Sequence, residues 1–259
     1  MGRNNIGQLG LGAADDDAHP TAAQLAALGS GVVQVAAGEE FSAALTAGGE
    51  VYLWGRNARG QIGDGTTDQR VDPTRVAALG TDTVQLALGN HHALALKQGG
   101  AVFSWGAGGW GRLGLGDTDN RLSPTEVTGL GTDNAYIAAQ GSGGMALKSD
   151  GRLFNWGSNS ANALGDGTTT DRLSPVELAA VGSGNAHVVG GNGHALLLKA
   201  DGSVVSWGAN AYGQIGNGEC SPQTRSDSQI ALSLPGHCSC DACLGQGVAD
   251  PASVAALGI

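Results

Sequence analysis

Residues 51–65, VYLWGRNARGQIGDG, contain a Trp-Gly pair that returns along the chain at a spacing of 51 residues. The pairs begin at Trp54, Trp105, Trp156 and Trp207. A short motif follows each pair and ends in Gly63, Gly114, Gly165 and Gly216, which keep the same spacing. Because a fixed period of about 20 to 50 residues indicates a repeat architecture, this repeat decides the fold class.

The segments within one period have the character of strands. VVQVAAG at 32–38, SAALT at 42–46 and EVYLWG at 50–55 are followed by a short extended piece after Pro73. Asp-Gly or Gly-Gly joins the second segment to the third, and these pairs favour tight hairpin turns. We therefore predict an all-β chain of four-stranded antiparallel units, with few and short helices.

The chain divides into one repeat domain over residues 1–259. A partial copy, GRNNIGQLGLG, starts at Gly2, with Met1 where tryptophan would stand, and we assign residues 1–31 to it. The complete repeats are predicted at 32–80, 81–131, 132–182 and 183–259. Residues 217–250 are predicted as an insertion in the last repeat.

The whole pattern resembles the repeat of the regulator of chromosome condensation family. The resemblance rests on the V-x-x-V-A-A-G strand, His-x-Leu-x-Leu, Asp-Gly, Trp-Gly and G-Q-[LI]-G-x-G, and it covers the chain except residues 217–250. It implies a β-propeller of four-stranded blades, and the ring of the family's founding member has seven.

The number of repeats leaves three alternatives, because a propeller hides its strand edges by closing the ring. The chain is a piece of a longer propeller, or a small ring in which residues 1–31 lend a strand to the last blade, or an incomplete ring. In the last case its open edges are expected to promote self-association.

Composition excludes two classes of partner. The chain has 13 Lys and Arg against 23 Asp and Glu, for a net charge of -10, and no run of basic residues. Nucleic acid and anionic membranes are therefore not expected partners. No apolar stretch reaches membrane-spanning length and the first residues do not form a signal peptide, which favours a soluble, cytoplasmic protein.

Catalysis is not predicted from these residues. His92 and His194 occupy one position of the repeat, where Phe41 and Gly143 stand in the other copies, so we expect these rings to pack beside the hairpin. No nucleophile-elbow sequence is present. We predict no enzyme activity, no catalytic residues and no cofactor.

The acidic loops GDGTTDQR, GLGDTDNR and GDGTTTDR do not match the calcium-loop pattern. Arg70, Arg121 and Arg172 recur with the same spacing and are expected to pair with these carboxylates, so no metal site is predicted there. The four periodic tryptophans are expected to pack between blades.

All four cysteines fall in the predicted insertion, and their chemistry stays open between three alternatives. The candidates are Cys220, Cys238, Cys240 and Cys243, the last three within HCSCDAC. They supply two disulfides, four thiolates for a zinc ion, or free thiols.

We predict a protein-protein interaction scaffold, because propellers are rigid frameworks whose faces bind partners. The resemblance implies an alternative, a guanine-nucleotide exchange factor for a Ran-like small GTPase, since the founding member of the family has this activity and docks on chromatin. One loop position varies through the copies as Ile6, Arg59, Trp110, Ala161 and Tyr212. Arg59, Trp110 and Tyr212 are the predicted partner-binding residues, and packing on the next blade is the alternative.

Overall fold

The computed structural model describes residues 2–218, which form five antiparallel sheets. The predicted insertion from residue 219 onward and all four cysteines lie outside the described residues, so their three alternatives stay open. The strands are β1 (Gly2–Asn4), β2 (Asp15–His19), β3 (Val32–Ala37), β4 (Phe41–Thr46), β5 (Val51–Gly55), β6 (Arg70–Arg75), β7 (Thr83–Leu88), β8 (His92–Lys97), β9 (Val102–Gly106), β10 (Arg121–Glu126), β11 (Asn134–Gln140), β12 (Gly143–Lys148), β13 (Leu153–Gly157), β14 (Arg172–Glu177), β15 (Asn185–Gly190), β16 (His194–Lys199) and β17 (Val204–Gly208).

The sheets are propeller blades, as predicted. The first blade comprises β3–β6, the second β7–β10 and the third β11–β14, each ordered by sequence from the inner to the outer strand. The fourth comprises β15–β17, and β1 pairs with β2 ahead of the first blade. Helical structure in residues 2–218 is confined to six 3-10 turns of three residues each. No helix in this part of the chain has the length and apolar character needed to cross a bilayer.

Two local features differ from the sequence prediction. The fourth strand starts before its proline: β6 spans Arg70–Arg75 and includes Pro73. Because β6 is the outer strand and its register shifts between Thr74 and Arg70, a residue without an N–H is tolerated there. The opening segment, expected as a loop of a partial repeat, forms the pair β1 and β2.

Periodic tryptophans fill the space between successive blades, which confirms their predicted role. Trp105 is fully buried, and its indole N–H donates to the Gln61 carbonyl of the preceding repeat at 2.9 Å. Gly63 has φ +79°, and a Cβ there would lie 2.7 Å from the Trp105 Nε1. The same indole-to-carbonyl hydrogen bond joins Trp54 to Gln8, Trp156 to Arg112 and Trp207 to Ala163. The recurring spacing of 51 residues therefore reflects the blade-to-blade contact.

In the first two blades, a glutamine side chain of the inner strand forms two hydrogen bonds, a glutamine clip, with the backbone of the next inner strand. The Gln34 side chain donates to the Leu86 carbonyl at 2.8 Å and accepts from the Leu86 N–H at 2.9 Å. Gln85 makes the same pair of bonds with Ile137. Each clip satisfies backbone groups on an inner strand that its own sheet leaves unpaired.

Within residues 2–218, no glutamine side chain makes this pair of bonds with the backbone of β3, the inner strand of the first blade. Val35 is 72% exposed, whereas Leu86, at the same position of the next blade, is 2% exposed. Leu198 of the fourth blade is also exposed, while its counterparts Leu45, Leu96 and Leu147 are buried. Self-association through these two apolar faces stays a prediction.

Candidate partner-binding surface

The loop after the first Trp-Gly pair is held by side chains of the loop itself. Asn57 accepts a hydrogen bond from the Ile62 N–H at 2.9 Å, and its amide group donates to the Asp68 carbonyl at 2.9 Å. Gln61 accepts from the Arg59 N–H at 2.8 Å. These bonds recur in other repeats: Gln8 accepts from Ile6 and Gln214 from Tyr212. In the second repeat Gly108 and Arg112 replace the asparagine and the glutamine. The Trp110 loop is held instead by the Asn120 side chain, which accepts from the Gly108 N–H at 3.0 Å, and by a bond from the Gly111 N–H to the Gly108 carbonyl at 3.0 Å.

The acidic loops are stabilised by arginine, as predicted. Arg70 pairs with Asp64, Arg121 with Asp117 and Arg172 with Asp166. Burial raises the pKa of Asp64, but hydrogen bonds from Thr66 and Arg70 outweigh it, so the net pKa lies below the ordinary value. These carboxylates are therefore engaged in structure, and residues 2–218 contain no cluster of three metal-binding side chains.

The variable position is exposed where it carries a large side chain. Trp110 is 55% and Tyr212 79% exposed, and Arg59 also faces solvent. Ile6 and Ala161, at the same position of two other repeats, are partly buried. Trp110 has φ +61°, a conformation that is uncommon outside glycine, so the backbone holds this ring at an energetic cost.

Arg112 lies beneath the Trp110 ring. It replaces the glutamine of the repeat motif, is 3% exposed, and places its guanidinium carbon 4.8 Å from the ring centroid. Its Nε donates to the Gly109 carbonyl at 3.1 Å, while Nη1 is buried and has no hydrogen-bond partner within residues 2–218. Burial and, to a smaller degree, the charge of Arg59 lower the pKa of Arg112. This arginine supports the exposed tryptophan from below.

His92 packs against the hairpin, as expected. A Cβ on Gly89 would lie 2.1 Å from the His92 ring, and Gly38 has the same relation to Phe41. In the third blade the large and the small residue exchange positions: Gly143 stands at the ring position and a buried Gln140 at the glycine position. Gln140 donates to the Ala163 carbonyl at 2.9 Å. The variation of this position is therefore compensated by packing.

A cavity of about 410 Å³ opens beside Trp110, between the loops of the third and fourth blades. Ser142, Ala161 and Ala163 line it, and Asp171 and Asn192 contribute polar groups. This cavity was not predicted from the sequence. The signal is present in the aligned repeats, because these three small residues correspond to His91, Trp110 and Arg112 of the second repeat.

Comparisons with known proteins agree with this architecture. The sequence profile of the RCC1-like domain matches residues 1–250. The ultraviolet-B receptor UVR8 of Arabidopsis thaliana is 36% identical over 241 residues, which are 91% of this chain and 54% of the receptor. The human E3 ubiquitin-protein ligase HERC2 is 36% identical over 187 residues, 70% of this chain and 4% of the ligase. The chain thus spans about half or less of the length of these relatives.

Solved structures show the same fold. Human WBSCR16 superposes with a TM-score of 0.75 at 25% identity, over 92% of this chain and 62% of that one. Prp20p of Saccharomyces cerevisiae, whose structure was reported with its binding properties to Gsp1p and histones, gives 0.60 at 31% identity over 69% and 43%. The protein is a β-propeller of repeated four-stranded blades. It belongs to the RCC1-like domain family.

Proposed function

We propose that this chain is a protein-interaction scaffold that contacts its partner through the loops after the Trp-Gly pairs. One observation carries the proposal: Trp110 and Tyr212 are large, exposed side chains on loops whose backbone is hydrogen-bonded within the repeat. Tryptophan, tyrosine and arginine are the side chains that contribute most at protein interfaces. A fixed loop lowers the entropy lost on binding. Loss of partner affinity on removing both aromatic rings is the test of this proposal.

A second candidate is nucleotide exchange on a Ran-like small GTPase. It is favoured by the similarity to Prp20p, whose structure was reported together with its binding properties to Gsp1p and histones. That similarity covers 43% of the Prp20p chain, so much of the surface of the relative has no counterpart in the match. We therefore rank exchange below scaffolding.

Release of fluorescent GDP from a Ran-like GTPase separates the two candidates. Under the scaffold proposal, micromolar amounts of the chain leave the release rate unchanged, whereas a full exchange factor of the family in a parallel reaction accelerates it. Acceleration that saturates with concentration of the chain would make exchange the function. EDTA, which removes the magnesium ion from the nucleotide, is the control for a loaded and competent GTPase.

A further inference from the structure

The cavity beside Trp110 exists because three large side chains of the repeat are replaced by small ones. In the second repeat the corresponding positions carry His91, Trp110 and Arg112, and in the third they carry Ser142, Ala161 and Ala163. These residues come from the inner hairpin and from the loop after Trp-Gly, and they line the same cavity. The cavity therefore lies at the positions where the second repeat has these three larger side chains.

The cavity also carries a charge that the first two complete repeats do not have at this position. Asp171 lies on its wall, while the same position holds Gln69 in the first repeat and Asn120 in the second. One Asp171 oxygen accepts from the Asn159 N–H at 2.8 Å. No Lys, Arg or His side chain within residues 2–218 pairs with Asp171. The neighbouring Arg172 pairs with Asp166 instead. This carboxylate is available to a cation.

Trp110 supplies the aromatic wall of the cavity. Its ring already packs on one guanidinium, that of Arg112, at 4.8 Å from its centroid. A guanidinium is planar, stacks on aromatic rings and pairs with carboxylates, so it suits a site with a tryptophan and an aspartate. Ser142 and Asn192 line the same cavity and add hydrogen-bonding groups around it.

We propose that this cavity binds an arginine side chain of a partner protein, placed between Trp110 and Asp171. The inference rests on the proposed scaffold function and adds the chemistry of the partner. The net charge of -10 favours approach of a basic segment. The incoming guanidinium takes the region in which the second repeat holds its own Arg112.

The test is a titration of the chain with N-acetyl-L-arginine amide, with the neutral isostere N-acetyl-L-citrulline amide as the matched probe. Binding is followed by the Trp110 indole N–H resonance, which is assigned from a Trp110→Phe variant. We expect a saturable shift with the arginine probe that weakens with added salt. The citrulline probe is expected to bind at least about fivefold more weakly.

Three variants complete the experiment. Asp171→Asn is expected to weaken the arginine probe about fivefold or more, and it keeps the fold because Asn120 accepts the equivalent backbone bond at 3.0 Å. Asp68→Asn removes the same charge from an exposed loop position and is expected to leave binding unchanged. Ala161→Trp is expected to abolish binding by filling the cavity, and Ala161 has φ +60°, close to the +61° of Trp110.

Equal affinity for both probes, an Asp171→Asn variant that binds like the parent, or no saturable shift at all would overturn the arginine site. Failure here is distinguishable from failure of the scaffold proposal. The latter depends on the affinity of a whole protein partner for variants of Trp110 and Tyr212, which a small probe does not measure.

Discussion

Replacing Trp156 by alanine is expected to lower the free energy of unfolding by about 3 to 5 kcal/mol. The ring is fully buried between the second and third blades, and its N–H donates to the Arg112 carbonyl at 3.0 Å. Truncation removes buried apolar surface, leaves a cavity and leaves the carbonyl unpaired. Because each repeat packs mainly on its neighbours, this loss weakens the coupling of two blades.

Urea unfolding followed by far-ultraviolet circular dichroism measures this change. Trp110→Ala is the matched control, since it removes the same side chain from an exposed position and is expected to cost less than about 1 kcal/mol. If the Trp156 variant were as stable as the control, the periodic tryptophans would not be the blade contacts that hold the fold together.

Replacing His92 by phenylalanine is expected to remove a large part of the acid sensitivity of the fold. Burial and, to a smaller degree, the charge of Arg112 lower the pKa of His92 to about 3. In the unfolded chain the ordinary pKa is about 6.5. Between these values the unfolded state binds a proton that the folded state does not, so stability falls as the pH drops from about 6.5 towards 3, by up to about 1.4 kcal/mol per pH unit.

Phenylalanine suits this position because Phe41 occupies it in the first blade, buried against Gly38. Near neutral pH the variant is expected to lose about 1 kcal/mol, because the His92 Nε2 bond to the Gly143 carbonyl at 3.1 Å disappears. The readout is the difference in unfolding free energy between parent and variant from pH 7.5 to 4, which is expected to shrink and then reverse. Parallel curves would show that His92 is accessible to protons in the folded protein.

Much of this fold can be predicted from the sequence, because its spacing reflects direct contacts. The interval of 51 residues between Trp105 and Trp156 is the interval between blades, and each ring meets the same carbonyl of the preceding repeat. The pairing of Arg70 with Asp64 is local, so it is predictable from one loop. The strand boundary predicted at Pro73 was wrong, because an outer strand such as β6 tolerates a proline.

The candidate site was predictable only in part, because it combines positions from different segments of the repeat. The exposure of Trp110 and Tyr212 follows from a variable position in a loop. The cavity beside Trp110 does not, since the sequence shows small residues at Ser142 and Ala161 without showing that both face one space. The exchange of a large and a small residue between Gln140 and Gly143 was missed for the same reason. The two substitutions compensate each other only in the folded blade, whereas the sequence shows them as unrelated changes.

The most direct test of the central claim, that the loops after the Trp-Gly pairs bind a protein partner, is the affinity of a purified partner for three forms of the chain. The forms are the parent, Trp110→Ala with Tyr212→Ala, and a control with Val84→Ser and Val176→Ser, which alters exposed apolar residues on strands. We predict that the loop variant loses about 2 kcal/mol or more, roughly 30-fold in affinity, with a melting temperature close to that of the parent. The strand control is expected to bind like the parent. A loop variant that binds with parental affinity per folded molecule, while its melting temperature falls by many degrees, would contradict the account and place these rings in the packing of the blades.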